Sequence, residues 1–385
     1  VTPRVLVVGG GPAGLAAAAA LARRGVEAIV AEAGALPRPK MCGEFLSPDA
    51  ERALAELGAT DVVRALRAPE IGAVRVTVAR GGRRLAESAS GLDVPGHGVA
   101  RADLDAALAE AARAAGAGVR ERCRVERLEG DAAGVRAATA AGEISADAVV
   151  VATGRVPGVG RDAREPLRDW VAVKTHVRGV RLPRVTELHF TAGAYAGLNE
   201  VACRGERVVN VCALASRRAW EHAGGTPDGI WESLARESPA FAERWRRADP
   251  VAGSAVAAAG FGFSVRGARG GGERPPLFVG DAAALIAPLC GDGQAMALAG
   301  GAALGRILAD AQVSSGSAAV RSAADAWDRE FRASFRGRLV LGRALQSVLL
   351  RPAAAACLVR SAAGLRPLTA WLYRGTRGPL LPRTA

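Results

Sequence analysis

The sequence predicts an α/β fold: a Rossmann-like dinucleotide-binding domain, an inserted mixed or antiparallel β-sheet, and a C-terminal helical region. Three observations carry this. The chain opens with a buried strand, a glycine turn, a helix and a second buried strand in about 30 residues, which is one βαβ unit. Its middle alternates apolar and polar residues, as half-buried strands do. Its last third returns to helical spacing.

The elements follow in order. Arg4 to Val8 is a short apolar run ending in glycines and reads as a parallel strand covered on both faces. Pro12 to Arg24 is an alanine-rich helix stopped by Gly25, and Val26 to Ala31 is a second strand that ends at Glu32. A proline-containing loop from Ala33 to Ser47 precedes a helix over Pro48 to Gly58. Ile71 to Ala86 alternates as antiparallel strands do, and Arg101 to Ala115 is a strong helix. Ala148 to Thr153 is another buried strand. Val171 to Val177, Val185 to Thr191 and Arg207 to Ala213 suggest the inserted sheet. Trp231 to Trp245 reads as a helix, Leu277 to Val279 as a short strand and Gln294 to Leu308 as a helix of small residues. A final helical stretch, Val320 to Tyr373, is interrupted by Pro352 and Pro367.

The first turn carries chemistry. Gly9, Gly11 and Gly14 form G-x-G-x-x-G, with Pro12 and Ala13 completing the turn. Gly9 permits a tight strand-to-helix turn, Gly11 lets the backbone approach a pyrophosphate, and Gly14 allows close helix–sheet packing. The free N–H groups and dipole at the helix start stabilise phosphate charge. Glu32, at the end of the second strand, is placed to accept the ribose hydroxyl hydrogens and to repel a 2′-phosphate. This fingerprint alone does not separate NAD from FAD.

Charge and cysteine content narrow the class. The formal charge is +13, and from Phe331 to Ala385 there are ten arginines and no acidic residue, so the excess sits in the tail. A nucleic-acid enzyme would carry that charge near its core with aromatic platforms, so nucleic acid is not an expected partner. Cys42, Cys123, Cys203, Cys212, Cys290 and Cys357 form no C-x-x-C pair. Zinc and dithiol-redox readings are therefore weak, no metal is expected, and reduced, mostly buried thiols in a cytoplasmic protein are. There is no signal-peptide pattern at the first residues and no apolar run of the roughly 20 residues that span a bilayer.

Later segments specify the cofactor by resemblance. PLFVGDAAALIAPLCGDGQAMALAGGAAL, from Pro276, resembles the GD motif of the superfamily of geranylgeranyl reductases and aromatic hydroxylases (group A flavoprotein monooxygenases). PKMCGEFLSPDA, from Pro39, is similar to a K-x-C-G stretch of the reductase-like members. With VKTHVRGV, TELHF, AYAGLNEV and PLCGDGQAMAL, the likeness is greatest to a bacterial subgroup linked to secondary metabolism, including type III polyketide pathways. It covers most of residues 1 to 312. The resemblance implies FAD, held by Gly9, Gly11, Pro12, Ala13, Gly14, Glu32, Arg101, Asp281, Gly291, Gly293 and Gln294. Asp281 would meet the ribityl chain, Arg101 the cofactor at the start of its helix, and Gly291, Gly293 and Gln294 the turn against the flavin ring. The bland alternatives are a capping role for Asp281 and a surface position for Arg101.

The resemblance also implies a discontinuous FAD domain (1–72, 98–170, 273–312), a substrate domain (73–97, 171–272) and a basic helical region (313–385). It implies an FAD-dependent oxidoreductase drawing on NADH or NADPH. Hydroxylation of a hydrophobic, phenolic or polyketide product is the first reading, reduction of isoprenoid double bonds the second, and a flavin-binding protein without turnover the third. Thr153 and Gly154 stand where the hydroxylases carry an Asp-Gly pair, which favours the second. A single dinucleotide fingerprint and no paired cysteines argue against a disulfide reductase. The Trp-rich halogenase signature and the Gly-Arg pattern of amine oxidases are missing.

No catalytic side chain is fixed by the sequence. In this superfamily the inserted sheet roofs the flavin, and Lys174, His176, His189, Tyr195 and Asn199 fall in its strands and loops. Lys174 and His176 alternate with Val173, Thr175 and Val177, so they share a face, either toward the site or in solvent. His189 suits acid–base work and Tyr195 a hydrogen bond to a substrate oxygen, against a satisfied core role for each. Cys42, near Lys40, suits a lowered thiol pKa, and Cys290 shares the second flavin-facing loop. Simple packing is the favoured reading of both. In the tail, Phe331, Phe335, Leu339, Leu345 and Leu349 recur at helical spacing between arginines. That suits a membrane surface, an acidic carrier protein, or, most simply, a helix packed on the FAD domain with its arginines in water.

Overall fold

The computed structural model describes residues 4–155, 159, 170–263, 265, 267–364, 372 and 374–377. The opening βαβ unit forms as expected: strand Arg4–Val8, helix Pro12–Ala22 and strand Glu27–Ala31. These join Ala148–Val151, Gly118–Arg120 and Leu277–Phe278 in a five-stranded sheet whose pairs are all parallel, with Arg4–Val8 at its centre. Val5, Leu6, Val7 and Val150 are fully buried, as a sheet covered on both faces requires. The fingerprint helix packs on the helix Gly293–Asp310. A Cβ added at Gly301 would lie 2.2 Å from the Ala13 carbonyl oxygen, so the small residue there lets the two backbones meet.

The inserted sheet is larger than the sequence suggests. It has nine strands, running Asp249–Pro250, Trp170–Arg178, Glu206–Ser216, Ala194–Cys203, Val185–Phe190, Glu70–Arg80, Arg83–Gly98 and Phe45–Leu46, with Val256–Phe261 also on Trp170–Arg178. It is mixed: Val185–Phe190 runs parallel to Glu70–Arg80, and the remaining pairs are antiparallel. Alternation sorts its faces. Val173, Val177, Ala196, Leu198 and Val211 pack on Ile230, Trp231, Leu234 and Phe241. Ala172, Phe190, Tyr195 and Leu214 pack the other way, with Leu349, Ala355 and Val359. The expected helix over Trp231 to Trp245 is two, Pro227–Glu237 and Pro239–Trp245, split at Ser238, whose side chain caps the second.

The C-terminal region forms the helices Ser317–Leu349 and Pro352–Gly364. Phe331, Phe335, Leu339 and Leu349 are buried, and the fully buried Trp327 donates from Nε1 to the Phe278 carbonyl at 2.9 Å. The apolar stripe is therefore spent on the core. Arg332, Arg336, Arg343, Arg351 and Arg360 are exposed. Pro367 and most of the strand-to-loop stretch after Gly154 lie outside the described residues. Among those described, no helix is long and apolar enough to cross a membrane, and no group of side chains could hold a metal ion.

Candidate functional site: a nucleotide groove opening into an apolar chamber

A cavity of about 1840 Å³ runs between the two sheets. Sites for one small molecule measure about 300–1,000 Å³, so this space is larger than a single small ligand requires. Gly9, Gly11, Pro12, Ala13, Glu32, Arg101, Asp281, Gly291, Gly293 and Gln294 all line it. The sequence thus identified residues from three separated stretches that converge on one groove. Gly14 does not line it. A Cβ there would lie 2.0 Å from the Gly9 carbonyl oxygen, so Gly14 shapes the turn from behind.

The fingerprint geometry fits a dinucleotide. Gly9 has φ +110°, and a Cβ on it would meet the Ala152 carbonyl oxygen at 2.5 Å, so only glycine serves. Gly11 has open space, with the Arg101 guanidinium 3.8 Å from a built Cβ, which leaves the backbone approachable. The helix that follows has no side-chain cap and no acidic residue in its first turn, so its N–H groups face the groove without a competing carboxylate. Glu32 is buried at the groove end. It accepts from the Gly10 and Gly34 amides at 2.8 and 2.9 Å and from Arg38 at 2.6 Å. Burial alone would raise its pKa; those two amides, with Lys40 and Arg38, outweigh it and hold the carboxyl below its ordinary range. Burial pulls Lys40 down to about 8 against the attraction of Glu32.

Arg101 is not a surface arginine. It forms a two-pronged pair with the fully buried Asp105, at 2.8 and 2.9 Å. Asp281 sits in the single turn Gly280–Ala282 after the strand Leu277–Phe278. Gly291 follows the turn Pro288–Cys290 with φ +66°, and the helix Gly293–Asp310 starts beside it. The Gln294 amide donates to the Phe45 carbonyl at 3.2 Å, while its buried oxygen has no partner among the described residues. Both halves of the groove therefore present helix starts, with open backbone at Gly11, an arrangement that suits phosphate and the polar edge of a flavin.

The roof corrects several expectations. Lys174 and His176 do share a face, but it is buried, not solvated. Both reach Glu44, Lys174 through its ammonium and His176 through Nε2 at 2.5 Å. Asn199 lines the cavity and donates to the Glu44 carbonyl at 3.5 Å. His189 lies on the opposite face, 3.3 Å from Glu187 and against the Phe241 ring, away from the cavity. Tyr195 lines the cavity and stacks on Phe190, 5.1 Å between centroids, but its hydroxyl is fully buried. Burial keeps that phenol protonated.

The cysteines are all free; Cys290 is buried, Cys357 exposed and the other four half-buried. The Cys42 thiol is pushed up by burial, against the influence of Arg101, not lowered by Lys40. Cys290 is likewise pushed up to about 12 by burial.

Sequence reasoning missed two features. One is Glu44, the acid of the KMCGEF segment. The other is the part played by the tail: Leu345, Leu349, Leu358 and Val359 wall the chamber, and Arg377 donates to the Cys290 carbonyl at 2.6 Å beside the Gly291 turn. Arg338 and Arg377 lie 3.0 and 3.6 Å from the buried Asp292, whose pKa burial raises in spite of them. An acid between a glycine and a phenylalanine, and arginines on an apolar helix, were the available signals.

Fold and groove together define an α/β dinucleotide-binding protein with a roofed, largely apolar chamber. Residues 2–334 match the FAD binding domain family, and the chain belongs to it. Over 54 residues the chain is 52% identical to a menaquinone reductase of Mycolicibacterium smegmatis, a match spanning 14% of this chain and 13% of that one. Its fold is shared with the flavin-dependent brominase Bmp2 (TM-score 0.77, 20% identity, 97% of this chain and 94% of that one). It is shared equally with a geranylgeranyl bacteriochlorophyll reductase-like protein of Thermoplasma acidophilum (TM-score 0.74, 21% identity, 95% and 93%). The myxobacterial chondrochloren halogenase CndH gives TM-score 0.75 at 21% identity, over 98% and 94% of the two chains. At these identities the likeness extends to the fold alone.

Proposed function

We propose that the chain is an FAD-dependent monooxygenase, acting in the cytoplasm on a hydrophobic small molecule such as a phenolic or polyketide product, with NADH or NADPH as electron donor. The observation that carries this is the continuity of the groove with an apolar chamber walled by Leu188, Phe190, Leu214, Leu349 and Val359. Gly9, Gly11, Glu32, Arg101 and Asp281 would hold the cofactor, with Gly291, Gly293 and Gln294 against its ring. Bound FAD, once reduced, supplies the oxygen-activating chemistry. The protein's part is to orient an apolar substrate and exclude water, and neither task needs a side-chain nucleophile.

A second reading, reduction of an isoprenoid double bond, is favoured by Thr153 and Gly154 in place of an Asp-Gly pair and by the short likeness to menaquinone reductases. Turnover under ¹⁸O₂ separates the two. The first expects labelled product and no anaerobic turnover; saturated, unlabelled product formed anaerobically would replace it with the second. Flavin that is never reoxidised in the presence of any apolar candidate would favour a binding protein without turnover. The arginine face of the tail remains available to an anionic membrane surface or an acidic carrier protein, through charge and not through its apolar stripe.

A further inference from the structure

Glu44 sits where four elements meet. Its carboxylate bonds Lys174 and His176 of the roof strand Trp170–Arg178, and it also accepts from the Arg101 backbone N–H at 2.8 Å. Its carbonyl accepts from the Val99 amide at 3.1 Å. The roof grips the same loop elsewhere. Asn210 donates to the Cys42 and Gly43 carbonyls at 3.3 and 2.9 Å, and Lys174 approaches the Lys40 carbonyl at 3.4 Å. Glu44 has φ +57°, a conformation a non-glycine residue holds only when its surroundings impose it.

The helix Arg101–Ala114 needs such a partner. Its N-cap residue is Ala100, which has no side-chain oxygen, and no side chain of its own caps it. Glu44 supplies the missing acceptor and a negative charge at the positive helix end. That helix start carries the Arg101 guanidinium beside Gly11, and the Glu44 amide donates to Cys42 Sγ at 3.3 Å. A buried ion cluster is a poor source of net stability, because desolvation offsets its attraction. It is well suited to fixing the register of the elements it joins.

We propose that Glu44, clamped by Lys174 and His176, is a positioning residue that caps the Arg101 helix from the neighbouring loop and so sets Arg101 against the cofactor groove. The inference rests on reading that groove as the FAD site. Glu44 also borders the cavity, and its assigned role is exerted through Arg101.

The test is a double-mutant cycle on FAD affinity, read by flavin fluorescence on titrating apoprotein with FAD. Glu44→Gln and Arg101→Ala are each expected to weaken binding about tenfold, the value of a charge-assisted hydrogen bond or somewhat less. The double variant is expected to bind no more weakly than Arg101→Ala, because the effect of Glu44 is lost once Arg101 is gone. Because Glu44→Gln strands a buried ammonium, the cycle is repeated with Lys174→Met in both Glu44→Gln arms. Effects that multiply to about a hundredfold, or Glu44→Gln binding as tightly as wild type, overturn the inference while leaving the FAD reading intact. Wild-type protein that takes up no FAD overturns both.

Discussion

Two glycines of one turn are expected to fail in opposite ways when each becomes alanine. At Gly14 the new methyl lies 2.0 Å from the Gly9 carbonyl oxygen and 3.1 Å from the Ala152 Cβ. Both neighbours are backbone-anchored in the core, so the helix must move off the sheet. Overpacking of this kind costs about 1–3 kcal/mol. In a chain of this size that lowers the apoprotein Tm by a few degrees, about 2–4 °C per kcal/mol or less. At Gly11 the nearest atom to the new methyl is an Arg101 nitrogen at 3.8 Å, and the backbone, at φ −90°, is already allowed for alanine. The apoprotein should therefore melt as wild type does. The methyl instead occupies the space through which a pyrophosphate reaches the backbone. Loss of one charge-assisted hydrogen bond there, about 1.5–3 kcal/mol, weakens FAD binding roughly 10- to 150-fold. Thermal unfolding of the apoprotein and fluorescence titration with FAD, run on both variants, separate the effects. A Gly11→Ala protein that melts as low as Gly14→Ala, or that binds FAD as tightly as wild type, would refute these separate roles for the two glycines.

Further outcomes follow from other parts of the structure. Trp327→Phe removes the Nε1 hydrogen bond to the Phe278 carbonyl, and is expected to cost about 0.5–1.5 kcal/mol by urea unfolding with little change in FAD affinity. Burial alone would raise the pKa of Glu187, but His189 and Arg244 hold it at about 2, below the ordinary 4.5. Its stabilisation is thus present above about pH 4.5 and lost as pH falls toward 2. In Glu187→Gln the urea midpoint should depend less steeply on pH between 5 and 3 than in wild type, and an unchanged slope contradicts this. Val359→Phe narrows the chamber away from the nucleotide groove, so turnover of bulky apolar substrates should drop while FAD affinity holds. Binding of the protein to anionic vesicles or to an acidic carrier should fall steeply with salt, and salt-independent binding excludes the arginine face as the contact.

Much of the cofactor side was legible in the sequence because it is local. The glycine spacing, the two apolar strands and Glu32 lie within one βαβ unit, where periodicity and turn chemistry decide the structure without help from distant residues. Asp281 and the Gly291 turn were reached by resemblance, and the groove they share with Glu32 and Arg101 is a tertiary fact. The roof was less legible. The strand Ala194–Cys203 carries glycine and polar residues at Gly197 and Asn199 that weaken its pattern, and nine-strand pairing fixes it instead. Alternation placed Lys174 and His176 on one face but gave no sign of which, since a buried carboxylate 130 residues away decides the matter. The tail posed the same difficulty. Helical spacing found the buried stripe of Ser317–Leu349, while the inward turn of Arg338 and Arg377 toward Asp292 depends on packing that no single segment encodes.

Flavin retention by the purified protein is tested most directly by one titration. Apoprotein, mixed with increasing FAD and freed of excess by gel filtration, should retain one flavin per chain with an absorbance spectrum shifted from that of free FAD, and the Gly11→Ala protein should retain far less. Wild-type protein that emerges colourless at every FAD concentration would contradict the central claim that the three stretches grip one flavin dinucleotide.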